Sequence, residues 1–356
     1  APRRWPEIPD RSHGGASMKE HKVLVTGASG FIAQHCISSL IAMGYPVRGT
    51  LRDLGRADEV RAAVKEPNGA LELCVADLTS DAGWGEAASG CTFVLHIASP
   101  FPPEQPKDAD ELIGPARDGA LRVLNASRQA GVKRVVMTSS VAAIMGDPSK
   151  PANYVYDETD WTDTTHPAVT PYEKSKTIAE QAAWKNVEQY GGPELTTIVP
   201  GAVLGPLLSL DFSASADLVR LLMQRAMPAC PRMAFNCIDV RDVAAAHIAA
   251  MTANEAVGQR YICAIEPIWL QEVAMILDRQ YGSSGWKIPT RALPDFVVKI
   301  GALFDPTLKR IRPSLGRAHH LNNSKMTSEL GISPRSNKAM VLAMAESLVE
   351  LGLVNN

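Results

Sequence analysis

The stretch Thr26-Gly27-Ala28-Ser29-Gly30-Phe31-Ile32-Ala33 decides the fold, because it follows an apolar run at 22–26 and opens an amphipathic helix. Gly27 permits a tight turn, Gly30 allows the backbone to approach a pyrophosphate, and Ala33 allows the helix to pack closely on the strand. Glycines also serve plain turns, but this strand–turn–helix setting favours phosphate binding at the helix N-terminus. We therefore predict a dinucleotide site. Its expected contacts at this turn are Gly27, Ser29, Gly30, Phe31 and Ile32.

Short apolar runs alternate with longer amphipathic stretches over the first two thirds of the chain. The runs predicted to be strands are 22–26, 46–51, 71–76, 92–97, 134–139 and 195–200. Such alternation produces parallel strands joined by crossover helices. The predicted fold class is α/β, a doubly wound parallel sheet of the Rossmann type with a smaller C-terminal substrate-binding lobe.

The predicted division of the chain has three parts. Residues 1–17 lack the apolar run of a signal peptide and are predicted to be a disordered extension. The nucleotide-binding domain is predicted to comprise 18–203 and 233–262. The substrate-binding lobe and the C-terminal helices take the remaining segments, 204–232 and 263–356.

Composition restricts the partners. Of the 356 residues 46% are hydrophobic and the formal net charge is −2, which argues against nucleic acid as a partner. No apolar run approaches the roughly 20 residues that cross a bilayer, so no membrane association is expected and the predicted location is cytoplasmic. The cysteines and histidines show no metal-ligand spacing, so no metal is predicted.

The end of the second strand indicates which dinucleotide binds. It reads Thr50-Leu51-Arg52-Asp53, and an acid at this place favours NAD, whereas the guanidinium of Arg52 suits the 2′-phosphate of NADP. Arg52 also suits a solvated position on the surface, and the adjacent Asp53 is an acid of the kind that favours NAD, so both interpretations stay open. At the end of the third strand, Asp77 and Leu78 are expected near the adenine, although Asp77 suits a helix N-cap equally well.

A second motif carries the chemistry. Tyr172 and Lys176 stand four apart in YEKSK, on a predicted helix, so they share one face. From there the Lys176 ammonium can favour the phenolate of Tyr172, as an acid/base tyrosine requires. Tyr-x-x-x-Lys also occurs on ordinary amphipathic helices. Upstream, the fifth strand ends in hydroxyls at Ser139 and Ser140, which periodicity does not separate and which also suit a turn cap.

Taken together, TGASGFIA, VRGTLRD, GCTFVLHIASPF, TSSVAAI, YDETDW, YEKSKTIAEQAAW and VPGAVLGP resemble the extended short-chain dehydrogenase/reductase family. Within it, they are similar to the branch of dihydroflavonol reductases, cinnamoyl-CoA reductases and microbial aldehyde and ketone reductases. The resemblance implies that Ser140 is the catalytic serine. It also implies that Ala98 and Ser99 line the cofactor cleft with His96, mostly by backbone, and that Pro200 lies beside the nicotinamide. For His96, strand-end packing is the stronger alternative.

One departure concerns the substrate. Plant flavonoid reductases carry an amide or acid four residues after the catalytic serine, where this chain has Ile144. With the apolar lobe around Leu204, this favours a small apolar or aromatic carbonyl substrate over a polyhydroxylated flavonoid. Ile144 and Leu204 are the predicted substrate contacts, although core packing also explains apolar residues of this kind.

The expected function is NADPH-dependent reduction of an aldehyde or ketone, with Tyr172 as acid/base, Ser140 polarising the carbonyl and Lys176 supporting the tyrosine. The alternatives are an NAD-dependent nucleotide-sugar epimerase or dehydratase, which shares the fold and the three residues, and a noncatalytic NADP-sensing protein. By analogy with folds of this type, a homodimer through helices near 108–130 and 172–190 is a further expectation.

Overall fold

A computed structural model describes residues 18–67, 69–100, 110–211 and 214–355. The predicted extension 1–17 and the first two residues of the predicted helix 108–130 lie outside the described residues. The strands are β1 Val23–Val25, β2 Val47–Leu51, β3 Leu71–Val75, β4 Phe93–His96, β5 Arg134–Thr138, β6 Val155–Tyr156, β7 Glu194–Pro200, β8 Ala202–Leu204, β9 Cys230–Pro231, β10 Ala234–Phe235, β11 Cys237–Asp239, β12 Arg260–Cys263, β13 Ile268–Trp269, β14 Ala292–Leu293 and β15 His320–Leu321. The α-helices are α1 Phe31–Ala42, α2 Ala57–Val64, α3 Trp84–Ala88, α4 Asp110–Gln129, α5 Pro171–Tyr190, α6 Ala214–Met223, α7 Val240–Thr252, α8 Leu270–Tyr281, α9 Asp295–Gly301, α10 Pro306–Ile311, α11 Ser324–Glu329 and α12 Asn337–Glu350.

The centre of the fold is a seven-stranded sheet with the order β12-β7-β5-β4-β1-β2-β3, and all its neighbouring strands are parallel. The strand order runs outward from β1 in both directions, so the chain changes direction between β3 and β4. This is the doubly wound arrangement that the sequence predicts, and the six predicted strands are confirmed, each boundary within one residue. The change of direction places a ligand crevice at the carboxyl ends of β1 and β4.

Helices cover both faces of this sheet. In β1 the side chains of Val23 and Val25 join the cluster that contains α1 and α7, whereas Leu24 joins the cluster that contains α3, α4 and α5. Successive residues of a strand point to opposite faces, so a strand covered on both sides must be apolar throughout. The continuous apolar runs of the sequence have this origin.

The second strand departs from this pattern through Arg48, which is only 9% exposed. Its guanidinium donates hydrogen bonds of 2.8–2.9 Å to the backbone oxygens of Glu86, Ala87 and Ser89, at the end of α3, and forms an ion pair with Glu72. A cation is favourable at a helix C-terminus because free carbonyls and the helix dipole converge there. Arg48 thus joins α3 to the sheet.

The remaining chain adds one strand to the central sheet and forms smaller elements outside it. β12 is a seventh strand that was not among the six predicted, and β11 pairs with β8 in a separate two-stranded sheet. Helices α6, α8 and α12 pack on one another, and α12 also contacts β8 and β11. Among the described residues, no helix combines the length and apolarity needed to cross a membrane.

Candidate active site

The Gly-rich turn leaves room that a side chain would fill. Gly27 has a φ of +68°, and a Cβ there would lie 3.1 Å from the Cβ of Ala98. Its N–H donates to Thr50 Oγ1 at 3.0 Å, which ties the turn to β2. Only glycine adopts this φ without strain, and its missing side chain keeps the space between the turn and Ala98 open.

The N-terminus of α1 faces this space. Gly30 precedes the helix and has no side chain to cap it, so the first N–H groups, including those of Phe31 and Ile32, stay available. Gln34 begins the regular hydrogen bonding by donating to Gly30 O, and its side chain donates to Ser29 O and Ser209 Oγ, both at 2.9 Å. The predicted turn residues therefore lie together, and the N–H groups of Phe31 and Ile32 at the helix start are the ones available to a pyrophosphate, whereas those of Gly27 and Gly30 hold the turn.

Thr26 joins the ends of β1 and β4 beside this turn. Its Oγ1 accepts hydrogen bonds from the N–H groups of Ile97 (3.0 Å) and Ala98 (2.9 Å), so its own proton goes to His96 Nδ1 at 3.0 Å. Burial lowers the pKa of His96 to about 3 and keeps the imidazole neutral. This contact is the strand-end packing role considered for His96, and it fixes Ala98 opposite Gly27.

The adenosine end of the crevice holds Arg52, exposed just after β2. Asp53, which left the dinucleotide open to question, caps the short 3₁₀ turn Leu54–Arg56: its Oδ1 accepts the N–H of Gly55 at 2.9 Å. Asp77 likewise closes a turn by accepting from Thr79, whose hydrogen bonds lower the pKa of Asp77 together with the nearby Arg52 cation. The next helix, α3, begins only at residue 84, so Asp77 is not a helix N-cap.

Sequence reasoning missed Arg56. Its Nη1 lies 3.3 Å from Ser29 Oγ, so this guanidinium stands beside the phosphate turn. It is held there by two carboxylates, Asp211 at 2.9 Å and Glu59 through two hydrogen bonds of 2.8 and 2.9 Å. A second cation four residues after Arg52 was the available signal. It was overlooked because only the residue that ends the strand was considered.

The Tyr–Lys pair sits at the start of α5. Thr170 and Glu173 form a capping box there, which fixes the first turn that carries Tyr172. Lys176 Nζ lies 5.8 Å from the centre of the Tyr172 ring and donates to Ser99 Oγ at 2.9 Å. Lys176 therefore contacts the loop after β4, which is predicted to line the cofactor cleft. A small cleft at this contact is lined by His96, Ala98, Ser99, Thr138, Ser139 and Lys176.

The two serines that periodicity left unresolved have different surroundings. Ser139 Oγ is buried and donates to Glu180 Oε2 at 2.6 Å. Ser140 Oγ accepts the N–H of Ala142 at 3.2 Å and caps the short 3₁₀ turn Val141–Ala143, against which α5 packs. The turn-cap alternative therefore describes part of what Ser140 does. The Ser140 O–H remains available as a donor, whereas that of Ser139 is committed.

The two predicted substrate contacts require correction. Ile144 and Leu204 are both 0% exposed, Ile144 within a cluster with Val199 and Ile262, and Leu204 within the main core. A side chain without accessible surface does not reach a substrate, so both belong to the core. The apolar character that suggested a pocket reflects packing instead.

Other predicted residues frame the site. Leu78 packs against Gly119 of α4, where a Cβ would lie 2.9 Å from Leu78 Cβ. Pro200 ends β7 beside β12. The loop that follows is held by His35, whose Nε2–H donates to Pro206 O at 2.8 Å; burial lowers the pKa of His35 to about 4. His35 is another residue that the sequence did not single out.

A larger cavity of about 550 Å³ lies in the C-terminal part of the chain. Its lining includes Pro231, Arg232, Trp269, Leu293 and Phe296 and shares no residue with the predicted site. It is an additional apolar groove beside α9.

The chain is similar to known proteins over most of its length. Residues 23–264 match the NAD dependent epimerase/dehydratase family. Cinnamoyl-CoA reductase 1 of Petunia hybrida is 34% identical over 94% of this chain and 94% of that protein, and tetraketide alpha-pyrone reductase 1 of Arabidopsis thaliana is 32% identical over 94% and 97%. The crystal structure of yeast methylglyoxal/isovaleraldehyde reductase Gre2 complexed with NADPH is 28% identical, covers 93% of this chain and 99% of that chain, and has a TM-score of 0.78.

Proposed function

The chain belongs to the NAD dependent epimerase/dehydratase family, in the branch of cinnamoyl-CoA reductases and related reductases, and on this basis we propose that it reduces the carbonyl group of a small aldehyde or ketone with NADPH. The observation that carries the proposal is the convergence of Lys176 and Ser99 beside Tyr172, at the carboxyl ends of the strands that form the dinucleotide crevice. Activity follows from the site rather than from the fold, which also serves other reactions.

The residues at the crevice fit NADP(H). The first N–H groups of α1 are available to the pyrophosphate, the Gly27 turn leaves space beside them, and the exposed Arg52 guanidinium suits a 2′-phosphate. NADPH, when bound, supplies the hydride.

Three side chains then handle the proton and the developing negative charge. Tyr172 donates its phenolic proton to the substrate oxygen, and the Ser140 hydroxyl donates a hydrogen bond to the same oxygen. Lys176, held by Ser99, places its positive charge near the Tyr172 ring and stabilises the phenolate that remains. It is also placed to bind the nicotinamide ribose.

The proposed substrate is a small carbonyl compound. The relatives are named for cinnamoyl-CoA, for a tetraketide alpha-pyrone, and for methylglyoxal and isovaleraldehyde. These names share a reducible carbonyl group, which supports a carbonyl substrate without selecting one compound. Because Ile144 and Leu204 lie in the core, a preference for an apolar or aromatic framework stays an expectation from the sequence, which the following screen tests.

The test is an oxidation screen at 340 nm with NADPH and NADH in parallel against aldehydes, α-ketoesters, diketones and flavonoids. We expect turnover of at least one apolar carbonyl with NADPH, and weaker turnover with NADH. Tightly bound NAD released on denaturation, with no thermal shift on adding NADP, would instead favour an epimerase or dehydratase. NADP binding without turnover of any carbonyl in the panel would favour a noncatalytic sensor.

A further inference from the structure

A fully buried carboxylate lies behind the catalytic face of α5. Glu180 follows Tyr172 by eight residues and Lys176 by four, so the three share one side of the helix. Its side chain is 0% exposed and accepts hydrogen bonds from Ser139 Oγ at 2.6 Å and Thr197 Oγ1 at 2.8 Å. Nothing in the proposed chemistry uses this carboxylate, yet it contacts the residue immediately before Ser140.

The partner of this carboxylate is Arg260, at the start of β12. Its Nε donates to Glu180 Oε1 at 2.8 Å and its Nη2 to Oε2 at 3.2 Å. Its Nη1 donates to the backbone oxygens of Glu158 and Asp160 at 2.6 and 2.8 Å, and the guanidinium stacks 3.7 Å above the Trp161 ring. One side chain thereby joins the sheet edge, the catalytic helix and the segment 158–162.

That segment in turn holds the turn that follows Ser140. Thr162 Oγ1 donates to Ala142 O at 2.7 Å and accepts the N–H of Gly146 at 2.8 Å, while its own N–H donates to Ala143 O at 2.9 Å. A Cβ on Gly146 would meet Thr162 at 2.3 Å, which shows how closely the two segments approach. Segment 158–162 therefore clamps the chain from Ala142 to Gly146.

We propose that the Glu180–Arg260 ion pair is a positioning device for the Ser140 hydroxyl. Glu180 fixes Ser139 on one side of Ser140, and Arg260, through segment 158–162, fixes the turn on the other side. The proposal rests on the proposed function, because it assigns Ser140 the role of a donor to the substrate oxygen. Neither Glu180 nor Arg260 touches substrate; both act through the backbone that carries the serine.

The physical reason is that a hydrogen-bond donor contributes to a transition state only when it is held at the right place before the reaction. Ser140 follows a strand end and begins a 3₁₀ turn of only three residues, which by itself gives little rigidity. A buried ion pair is costly to desolvate, so its presence behind the serine is weak evidence that it stabilises the fold. Holding Ser140 in position is a role that would account for it.

The chain contains a control at the amino end of β5, the strand that Ser140 follows. Arg134 begins β5, is 2% exposed, and pairs with Glu194 at 2.7 Å. Like Arg260, it donates to two backbone oxygens, those of Ala250 and Ala253, at 2.8 and 2.6 Å. It lies at the amino end of β5, whereas Ser140 follows the carboxyl end. Its Glu194 is 37% exposed, whereas Glu180 is fully buried. Breaking this pair therefore tests the loss of an ion pair at a buried arginine without disturbing the serine.

The experiment compares Glu180→Gln, Ser139→Ala and Glu194→Gln by steady-state kinetics with NADPH and the best carbonyl substrate, well below the melting temperature of each variant. We expect Glu180→Gln to lower kcat by at least about tenfold and Ser139→Ala by about threefold or more, with the KM for NADPH unchanged within about twofold. With NADPH deuterated at the transferred position, both variants should show a larger isotope effect on kcat, because the chemical step becomes slower. Glu194→Gln should lose stability but retain wild-type kcat and isotope effect.

Wild-type kcat and isotope effect in Glu180→Gln, or an equal loss of kcat in Glu194→Gln, would overturn the positioning role. Should Glu180→Gln fail to fold, Ser139→Ala decides, because it removes a single hydroxyl and leaves the ion pair intact. Failure of the proposed function has a separate signature. Ser140→Ala would then retain wild-type turnover, and there would be no catalytic hydroxyl to position.

Discussion

The Lys176 ammonium donates a hydrogen bond of 2.9 Å to the hydroxyl of Ser99, which joins the catalytic helix to the loop that follows β4. Because Lys176 also lies 5.8 Å from the centre of the Tyr172 ring, this contact determines where its positive charge stands relative to the phenol. Ser99 was expected to act mostly through its backbone. Its side chain thus has a further role that only the folded structure reveals.

Removing that hydroxyl should weaken catalysis moderately. In Ser99→Ala, Lys176 keeps its charge but loses its anchor, so we expect kcat/KM to fall by about 3- to 20-fold, equivalent to the net value of one hydrogen bond to a charged group. Steady-state kinetics with NADPH would measure this. Ser149→Ala, which removes an exposed hydroxyl bound to Asp147, is the control and should match the wild type. An unchanged kcat/KM in Ser99→Ala would show that the contact does not support catalysis.

Adding a methyl group at Gly27 should weaken cofactor binding. The φ of +68° strains any other residue, and the new Cβ would lie 3.1 Å from Ala98 Cβ in the space assigned to the pyrophosphate. We expect Gly27→Ala to lose about 1–3 kcal/mol of stability and to raise the Kd for NADPH at least about tenfold. Gly44→Ala is the matched control, since its φ is +87° with nothing within 4 Å of the new Cβ. It should lose stability without weakening NADPH binding; equal NADPH binding in both variants would contradict a pyrophosphate site at this turn.

The exposed arginine that follows β2 should determine coenzyme preference. Arg52→Ala is expected to raise the KM for NADPH by about tenfold or more and to leave the KM for NADH nearly unchanged, because only NADPH offers a 2′-phosphate. Arg117→Ala, an exposed arginine paired with Asp118 on α4, serves as the control. Equal losses with both coenzymes would indicate structural damage instead of phosphate recognition.

Buried histidines should make the fold sensitive to mild acid. His247 Nδ1–H donates to Val243 O at 2.8 Å, so its Nε2 accepts the Thr138 hydroxyl at 2.7 Å, and burial lowers the pKa of His247 from 6.5 to about 4. Below pH 6.5 the unfolded chain binds a proton at this site that the folded chain does not. The contribution of the neutral His247 to the free energy of unfolding is therefore complete above pH 6.5 and is lost as the pH falls toward 4. The loss amounts to at most about 3 kcal/mol.

The measurement is the free energy of unfolding in urea at pH 7.5 and at pH 5 for the wild type, His247→Gln and His320→Gln. In His247→Gln the free energy of unfolding should change less between pH 7.5 and pH 5 than it does in the wild type. Part of the change should remain, because His35 and His96 are also buried and have lowered pKa values. His320, whose side chain is 45% exposed, is the control. An identical pH dependence in wild type and His247→Gln would contradict this account.

The sequence predicted the sheet well, since parallel strands covered on both faces must be continuously apolar, and such runs are visible without any tertiary information. β12 was not predicted; it is short, Arg260–Cys263, and its first residue is buried against Glu180, which lies 80 positions earlier. The Gly-rich turn and the Tyr–Lys spacing were likewise readable, because a local backbone geometry imposes each of them.

The rest of the site depends on contacts between distant segments. Arg56 and Gln34 meet the phosphate turn only once α1, α2 and the 206–211 loop have packed together. Ile144 shows the converse: its apolar side chain suits a pocket and a core equally well, and burial alone assigns it to the core. The Ser139 hydroxyl is committed to Glu180, a residue that no sequence pattern links to the two serines.

The most direct test of the central claim is the turnover of Tyr172→Phe with NADPH and a carbonyl substrate on which the wild type is active. The variant loses only the phenolic hydroxyl, so it should still bind NADPH, as seen in an unchanged thermal shift, while kcat falls by about 10²- to 10⁴-fold. Wild-type turnover by Tyr172→Phe would contradict the assignment of this tyrosine as the acid that protonates the substrate oxygen.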